Sequence, residues 1–417
     1  MRFSKVPPVQ AVTALIAGVI TGTELTAVLS PVRLWPYRHN RVPAGAAERW
    51  DEVDEPRFET WRDAETLARG RLPADVYDFV AGGAEDEVTL GRNQRAFQRR
   101  ALLPAVLRDV ANVDARVSLW GCELSTPILV APMGGHSMVH HGAEMATAAG
   151  AAAAGVGTIT STVSSTPLEI EATANPARWF QLYVFRDRAV TTDLIARARQ
   201  AGYGALVVTV DAPVLGLRRR DLSNRFRPEA RMANLERYAL GSLPDADDGG
   251  GLARYFAMQM DPSLTFHDLE TLVAQAGLPV IVKGVVRPAD AVRCLESGAA
   301  GVYVSNHGGR QLDGGPATLD ALPAIVDAVA GRAPIVLDGG VRTPSDVVLA
   351  LALGADAVGV GRPVLWALAT GGQRGVEHLL RRLGEGVRAA MALVGARSVD
   401  DLTAESVRGI GHDHQEL

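Results

Sequence analysis

Eight apolar runs alternate with amphipathic segments from Ile128 onward, polar residues and glycines gather where each run ends, and 417 residues at 47% hydrophobic content suffice for one large core. Together these observations predict an α/β fold: a parallel (β/α)8 barrel of the TIM type behind an N-terminal helical or irregular extension. The expected division is an extension and connector over 1–57 and a barrel domain over 58–417.

The extension opens with Arg2 and Lys5, followed by an uncharged run over 6–23 that is most apolar over 11–20. The run lacks a clean A-x-A cleavage site and is short and Thr-rich for a membrane span. A helix or arm packed on the barrel or on a neighbouring subunit is therefore expected, with secretion or anchoring as the alternative. Residues 33–55, flanked and broken by Pro31, Pro36, Pro43 and Pro56, read as an irregular connector. The folded body is expected to begin near Phe58, where Trp61, Ala64, Leu67 and Ala68 fall at helical spacing.

The strand-like runs are 128–131, 157–160, 179–184, 205–211, 279–284, 300–305, 334–338 and 357–361, and eight is the number that closes a parallel barrel. Amphipathic segments over 191–201, 287–297, 319–330 and 343–353 suit the outer helices. One connection is anomalous. Between Asp211 and Thr265 lies a long polar stretch with Arg218, Arg219, Arg220, Asp245, Asp247 and Asp248, a candidate lid or mobile segment.

Charge and cysteine content exclude several functions. A net charge of -5 and a pI near 6.0 give no electrostatic case for nucleic-acid binding. Cys122 and Cys294 are far apart and without metal-ligand spacing, which argues for a reducing, cytoplasmic setting and no structural zinc.

Barrel enzymes carry their chemistry at the C-terminal ends of the strands. Here those ends offer Met133 and Gly134, Ser161, Gln181 and Tyr183, Thr209 and Asp211, Lys283, His307 and Arg310, Asp338 to Arg342, and Gly361 with Arg362. In the stretch from Ser305 to Gly315, His307 supplies a base that titrates near neutrality and Arg310 a fixed cation for a carboxylate, both on a glycine-rich turn. Read alone, such a turn is a solvated surface loop. In the company of the other strand ends it becomes equipment for deprotonating a carboxylated substrate. Asp338-Gly339-Gly340-Val341-Arg342 and Gly361-Arg362 follow strands seven and eight, the usual phosphate corner, so a phosphorylated ligand is expected.

The segment Ser305-Asn306-His307-Gly308-Gly309-Arg310-Gln311, with Gln181-Leu182-Tyr183, Lys283-Gly284, Asp338-Gly339-Gly340-Val341-Arg342 and Gly361-Arg362-Pro363, resembles the FMN-dependent 2-hydroxy acid oxidase and dehydrogenase family. That family includes glycolate oxidase, lactate monooxygenase and mandelate dehydrogenase. The likeness runs from about Leu72 to about Leu402. It implies FMN as cofactor and oxidation of an (S)-2-hydroxy acid to the 2-oxo acid, with oxygen or another acceptor taking the electrons. It further implies His307 as base, Asp211 as its partner, Arg310 on the substrate carboxylate, Tyr183 on the hydroxyl and Arg218 near the substrate. Lys283 would lie beside the flavin, with Met133, Gly134, Ser161, Gln181, Thr209, Ser305 and Asp338 around ring and ribityl chain. Gly340, Arg342, Gly361 and Arg362 would hold phosphate. A homo-oligomer, by resemblance a tetramer, is expected.

Three residues depart from the family pattern. Phe79 stands where most members carry a tyrosine that bonds the substrate carboxylate, and Val163 where glycolate oxidase has a tryptophan. Phe79 removes a hydrogen bond to the carboxylate and argues against a plain glycolate or lactate oxidase, and Val163 points to a wider, more apolar pocket for a medium-sized or aryl acid. Gly134 replaces an alanine frequent in oxidases and is similar to the dehydrogenase and monooxygenase branches, so oxidative decarboxylation stays open. Membrane-bound mandelate dehydrogenases carry an apolar insertion in the long connection, whereas Asp245, Asp247 and Asp248 argue against a membrane here. Two further readings are a non-redox barrel enzyme on a phosphorylated substrate with Lys283 as Schiff-base nucleophile, and a flavin-binding barrel whose catalysis has decayed.

Overall fold

The computed structural model describes residues 58–229, 231–244 and 250–410. The expectations for the extension over 1–57, and for Asp245, Asp247 and Asp248, lie outside the described residues. Eight parallel strands close a barrel: β1 (Ile128–Val130), β2 (Gly157–Thr160), β3 (Arg178–Leu182), β4 (Leu206–Thr209), β5 (Val280–Val285), β6 (Gly301–Val304), β7 (Ile335–Leu337) and β8 (Ala357–Val360). They pair in chain order, and β8 returns to β1 through Val358 on Ile128 and Val360 on Val130. Every run read as a strand is one, with ends that differ by at most two residues.

Alternation along each strand explains both the core and the site. Leu129, Ile159, Trp179, Val207, Ile281, Tyr303, Val336 and Ala357 form one buried cluster inside the barrel. Their neighbours, such as Val130, Phe180, Val208, Val282 and Val304, pack outward against the helices in the main core. Because side chains alternate with period two, the next inward positions are Ala131, Ser161, Gln181, Thr209, Lys283, Ser305, Asp338 and Gly359. The hydrophobic layer is thus capped by a mostly polar one. Glycine is required at Gly359, where a Cβ would lie 2.0 Å from the Tyr303 hydroxyl.

The body opens on α1 (Trp61–Arg71) and α2 (Ala74–Ala81). Thr60 and Asp63 form a reciprocal capping box at the start of α1, whose Ala64 and Ala68 are buried. After α2 the chain turns at Gly82 and Gly83 against the loop that follows β6. The Ala84 amide donates to the Gly309 carbonyl at 2.8 Å, and a Cβ on Gly83 would approach that oxygen to 2.9 Å. The opening turn is thereby seated beside His307.

The connection from β4 to β5 is less irregular than its composition suggests. It contains short helices at Arg219–Ser223 and Gly251–Gln259 and the longer Phe266–Ala276, capped by Thr265 and Asp268. Among the described residues no helix is long and apolar enough to cross a membrane.

Candidate active site

The polar layer resolves into two hydrogen-bonded groups. Gln181 Oε1 accepts from the Ser161 hydroxyl and the Thr162 amide, both at 3.2 Å, while its Nε2 donates to Thr209 Oγ1 at 3.0 Å. Across the barrel, Lys283 Nζ donates to Ser305 Oγ at 2.9 Å and stands 3.5 Å from Asp338 Oδ2. Ser305 Oγ donates in turn to Asp338 Oδ1 at 2.6 Å. Lys283 is buried at the floor of the cleft and held by Ser305 and Asp338, a position suited to neutralising an anion.

His307 sits directly above this floor. It adopts φ 58°, and Gly308 and Gly309 follow with positive φ, so the loop after β6 folds sharply back. The His307 amide donates to Ser305 Oγ at 3.1 Å. Its Nδ1 lies 3.1 Å from Asp211 Oδ1 at the end of β4. Burial pulls the imidazole below its ordinary value despite the Asp211 charge. Burial opposes ionisation of Asp211, yet His307 and Lys283 outweigh it and hold that carboxyl low. Both directions describe one resting state, an ionised carboxylate beside a neutral imidazole. Nδ1 then carries the proton toward Asp211, and Nε2 is left as the acceptor. Although deeply set, the His307 side chain keeps 21% exposure and lines the cleft.

Two guanidinium groups line the same cleft as the histidine. Arg310 Nη1 donates to the carbonyls of Phe79 (2.8 Å) and Gly82 (2.7 Å), orphan acceptors at the end of α2. Arg218 and Arg310 lie 5.8 and 5.1 Å from the Phe79 ring centroid, and that ring stacks on Phe226 at 4.8 Å. Arg218 Nε is buried with no partner. Burial and the neighbouring Arg218 and Arg362 lower the Arg310 proton affinity, the signature of cations awaiting an anion. Tyr183 lines the same cleft with its ring edge-on to Phe256 at 5.3 Å, and burial with the nearby Asp211 charge raises its phenol.

The cleft encloses about 1470 Å³ including its open mouth. Its far end is the corner after β7 and β8. Arg362 Nε donates to the Val80 carbonyl at 3.0 Å, and Nη2 to those of Gly82 (2.8 Å) and Gly308 (3.1 Å). Arg342 lies against the Trp61 ring at 5.5 Å. Burial lowers both groups, with Arg342 repelling Arg362. Among the described residues neither arginine has a carboxylate within 4.0 Å. Gly361 precedes the helix Arg362–Leu393, whose N-terminus faces the same corner. Two half-buried cations, Arg342 repelling Arg362 at a helix N-terminus, fit a phosphate dianion, and the lysine-bearing floor fits a ring that gains negative charge. The donor set therefore fits FMN.

All the sequence-predicted site residues meet around this one cleft. Gln181, Thr209 and Ser305 lie just beneath its wall, and the others line it, Asp211 through its bond to His307. Gly134 touches Val163: a Cβ there would sit 2.6 Å from Val163 Cγ2 and 2.8 Å from its carbonyl oxygen. Sequence reasoning missed the wall made by Met232, Leu243, Leu252 and Phe256. It also missed Asn234, wholly buried beneath it. An apolar residue every few positions within the polar connection was the available signal.

A family model described as FMN-dependent dehydrogenase matches residues 68–409. An L-lactate oxidase of Nostoc sp. is 46% identical over 345 residues, 81% of this chain and 94% of that protein. The 2-hydroxyacid oxidase 1 of Homo sapiens is 44% identical over 359 residues, covering 85% and 97%. The crystal structure of a mandelate oxidase with (S)-4-hydroxymandelic acid superposes with a TM-score of 0.80 at 40% identity, over 84% of this chain and 98% of that one. With a closed eightfold barrel, a cleft that suits FMN and this likeness over most of its length, the chain belongs to the FMN-dependent dehydrogenase family.

Proposed function

We propose that this protein oxidises an (S)-2-hydroxy acid with a medium-sized or aryl side chain to the 2-oxo acid. The observation that carries the reading is a neutral imidazole, oriented by an ionised Asp211, on the same cleft as two guanidinium groups. Arg310, braced by the end of α2, binds the substrate carboxylate, with Arg218 beside it. His307 Nε2 takes a proton from the substrate, and Asp211 stabilises the imidazolium that forms. Tyr183 bonds the substrate oxygen as it becomes a carbonyl. FMN supplies the two-electron acceptor that no side chain offers. Lys283 compensates negative charge at the cleft floor, Arg342 and Arg362 hold the phosphate, and Ser161, Gln181 and Thr209 support the ring edge.

Oxygen is the proposed acceptor, in keeping with relatives named as oxidases. Gly134 favours a second outcome, in which the 2-oxo acid and the hydrogen peroxide formed from oxygen both stay bound and react to give the acid shortened by one carbon, carbon dioxide and water. The buried, unpaired cysteines support a cytoplasmic enzyme, and the family resemblance supports a tetramer, readable by sedimentation. The deciding experiment is anaerobic: the visible spectrum is recorded, a panel of 2-hydroxy acids is added, and flavin bleaching is followed. Bleaching by apolar 2-hydroxy acids is expected, and a flavin that none of them bleaches overturns the reading. Product analysis in air then separates 2-oxo acid with peroxide from the decarboxylated acid.

A further inference from the structure

The connection from β4 to β5 carries a charged sequence but turns an apolar face to the cleft. Pro228, Met232, Leu243, Leu252 and Phe256 line it. Among the described charges nearby, Arg231 pairs with Glu236 and Arg237 reaches Asp193 at 3.4 Å, while Arg218 of the same connection lines the cleft beside the carboxylate clamp. Val163, from the loop after β2, lines the same cleft.

These two walls are bolted together. Asn234, with no exposed surface, donates from Nδ2 to the carbonyls of Ser161 (3.1 Å) and Thr162 (3.3 Å) and accepts from the Leu168 amide at 2.7 Å. The Ala233 amide donates to the Ser164 carbonyl at 2.9 Å. Arg197 Nη1 donates to the Asn234 carbonyl at 2.8 Å and is itself held by Glu169 through two bonds, at 2.7 and 3.0 Å. Every polar group of the Asn234 side chain is thus spent on the loop that holds Ser161 and Val163. A buried amide with this many bonds fixes position rather than permitting a swinging lid.

We propose that this wall selects the substrate: Met232, Leu243, Leu252 and Phe256 receive an uncharged, extended apolar side chain of about six carbons or an aryl ring, and Asn234 is the positioning residue that holds them against Val163. The inference rests on the 2-hydroxy acid reading above and names which members of that class are preferred. With the carboxylate end fixed by the guanidinium groups, each further methylene enters apolar surroundings and strengthens binding about fourfold until the wall is filled.

The test uses the FMN-loaded, full-length protein. Straight-chain 2-hydroxy acids of two to eight carbons and mandelate are compared by kcat/KM for anaerobic flavin reduction, and the matching 2-oxo acids by calorimetric titration. Affinity should climb with chain length, and Met232→Ala or Phe256→Ala should lower the eight- over three-carbon ratio at least tenfold in both measurements. Leu252→Ala serves where either variant fails to fold. Asn234→Ala should lower the same ratio through KM, whereas a merely structural role would depress all acids alike and leave the ratio intact. A flat dependence on chain length in the parent protein, or ratios unchanged in the wall variants, overturns the proposal. If no hydroxy acid bleaches the flavin the oxidase reading falls separately, and titration of the 2-oxo acids still decides whether the wall selects.

Discussion

Replacing Asp211 by Asn isolates the charge behind the proposed base. Asn keeps the size of the side chain and an oxygen that can accept from His307 Nδ1, so the imidazole stays oriented while the negative charge disappears. At the observed separation of 3.1 Å, an imidazolium and a carboxylate attract by about 5 kcal/mol at an effective dielectric constant near 20. Solvation of the newly formed ion in the mutant returns part of this. If half is lost, about 2.5 kcal/mol, proton transfer slows roughly 70-fold. The assay is anaerobic stopped-flow reduction of the bound flavin at saturating substrate, across a pH series. Asp211 raises the His307 proton affinity against the effect of burial, so its removal should also move the acid limb of kcat/KM to lower pH. Flavin reduction at the parental rate with an unmoved acid limb would refute the assignment of His307 and Asp211 as a working pair.

Four further outcomes are expected. Because burial depresses His307 and only the neutral ring accepts a proton, kcat/KM in the parent protein should hold as pH falls through 6.5 and decline only below it; a decline centred above 6.5 contradicts this. Burial and the nearby Glu144 push Glu171 up to about 8. From the ordinary carboxyl range to that value the folded chain keeps a proton the unfolded chain has released, so stability drops as pH rises through the window. Glu171→Gln should flatten this slope in denaturant melts and raise stability at pH 8, and an unchanged slope counts against it. Gly134→Ala meets the Val163 carbonyl, which cannot rotate away, so it should weaken flavin retention or lower Tm by several degrees even when paired with Val163→Ala. A fully loaded, equally stable single variant would show that the loop yields. Phe79→Tyr places a donor near the two guanidinium groups and should tighten small hydroxy acids by roughly ten- to a hundredfold, the range for a hydrogen bond to a charged group; weaker binding in titrations sinks that reading.

The barrel was legible because parallel strands buried on both sides read as short apolar runs, and all eight stood out at sites such as 157–160 and 357–361. The active-site ring was legible for the same reason: the last inward position of each strand is where apolar gives way to Ser161, Gln181, Thr209, Lys283, Ser305 and Asp338. The wall over 228–256 was not. Its apolar residues recur with neither period two nor period 3.6, since they come from a coil, a turn and one short helix, and charges such as Arg231 and Glu236 dominate the composition. Nor does a sequence show that Asn234 points inward, because asparagine is as common in exposed turns. Within the connection read as a candidate lid or mobile segment, Ala233 and Asn234 are tied to the loop after β2 through backbone and side-chain bonds that only a fold brings together.

One carbonyl has a wider consequence. The oxygen of Gly82 accepts from Arg310 and from Arg362 at once, so a single peptide joins the cation assigned to the reactant with the one assigned to the cofactor's anionic tail. Neither guanidinium can shift without the other feeling it. The shared acceptor therefore predicts that loading of the prosthetic group and readiness of the carboxylate clamp are coupled, and a chain purified without its flavin should lose grip on 2-oxo acids as well as colour.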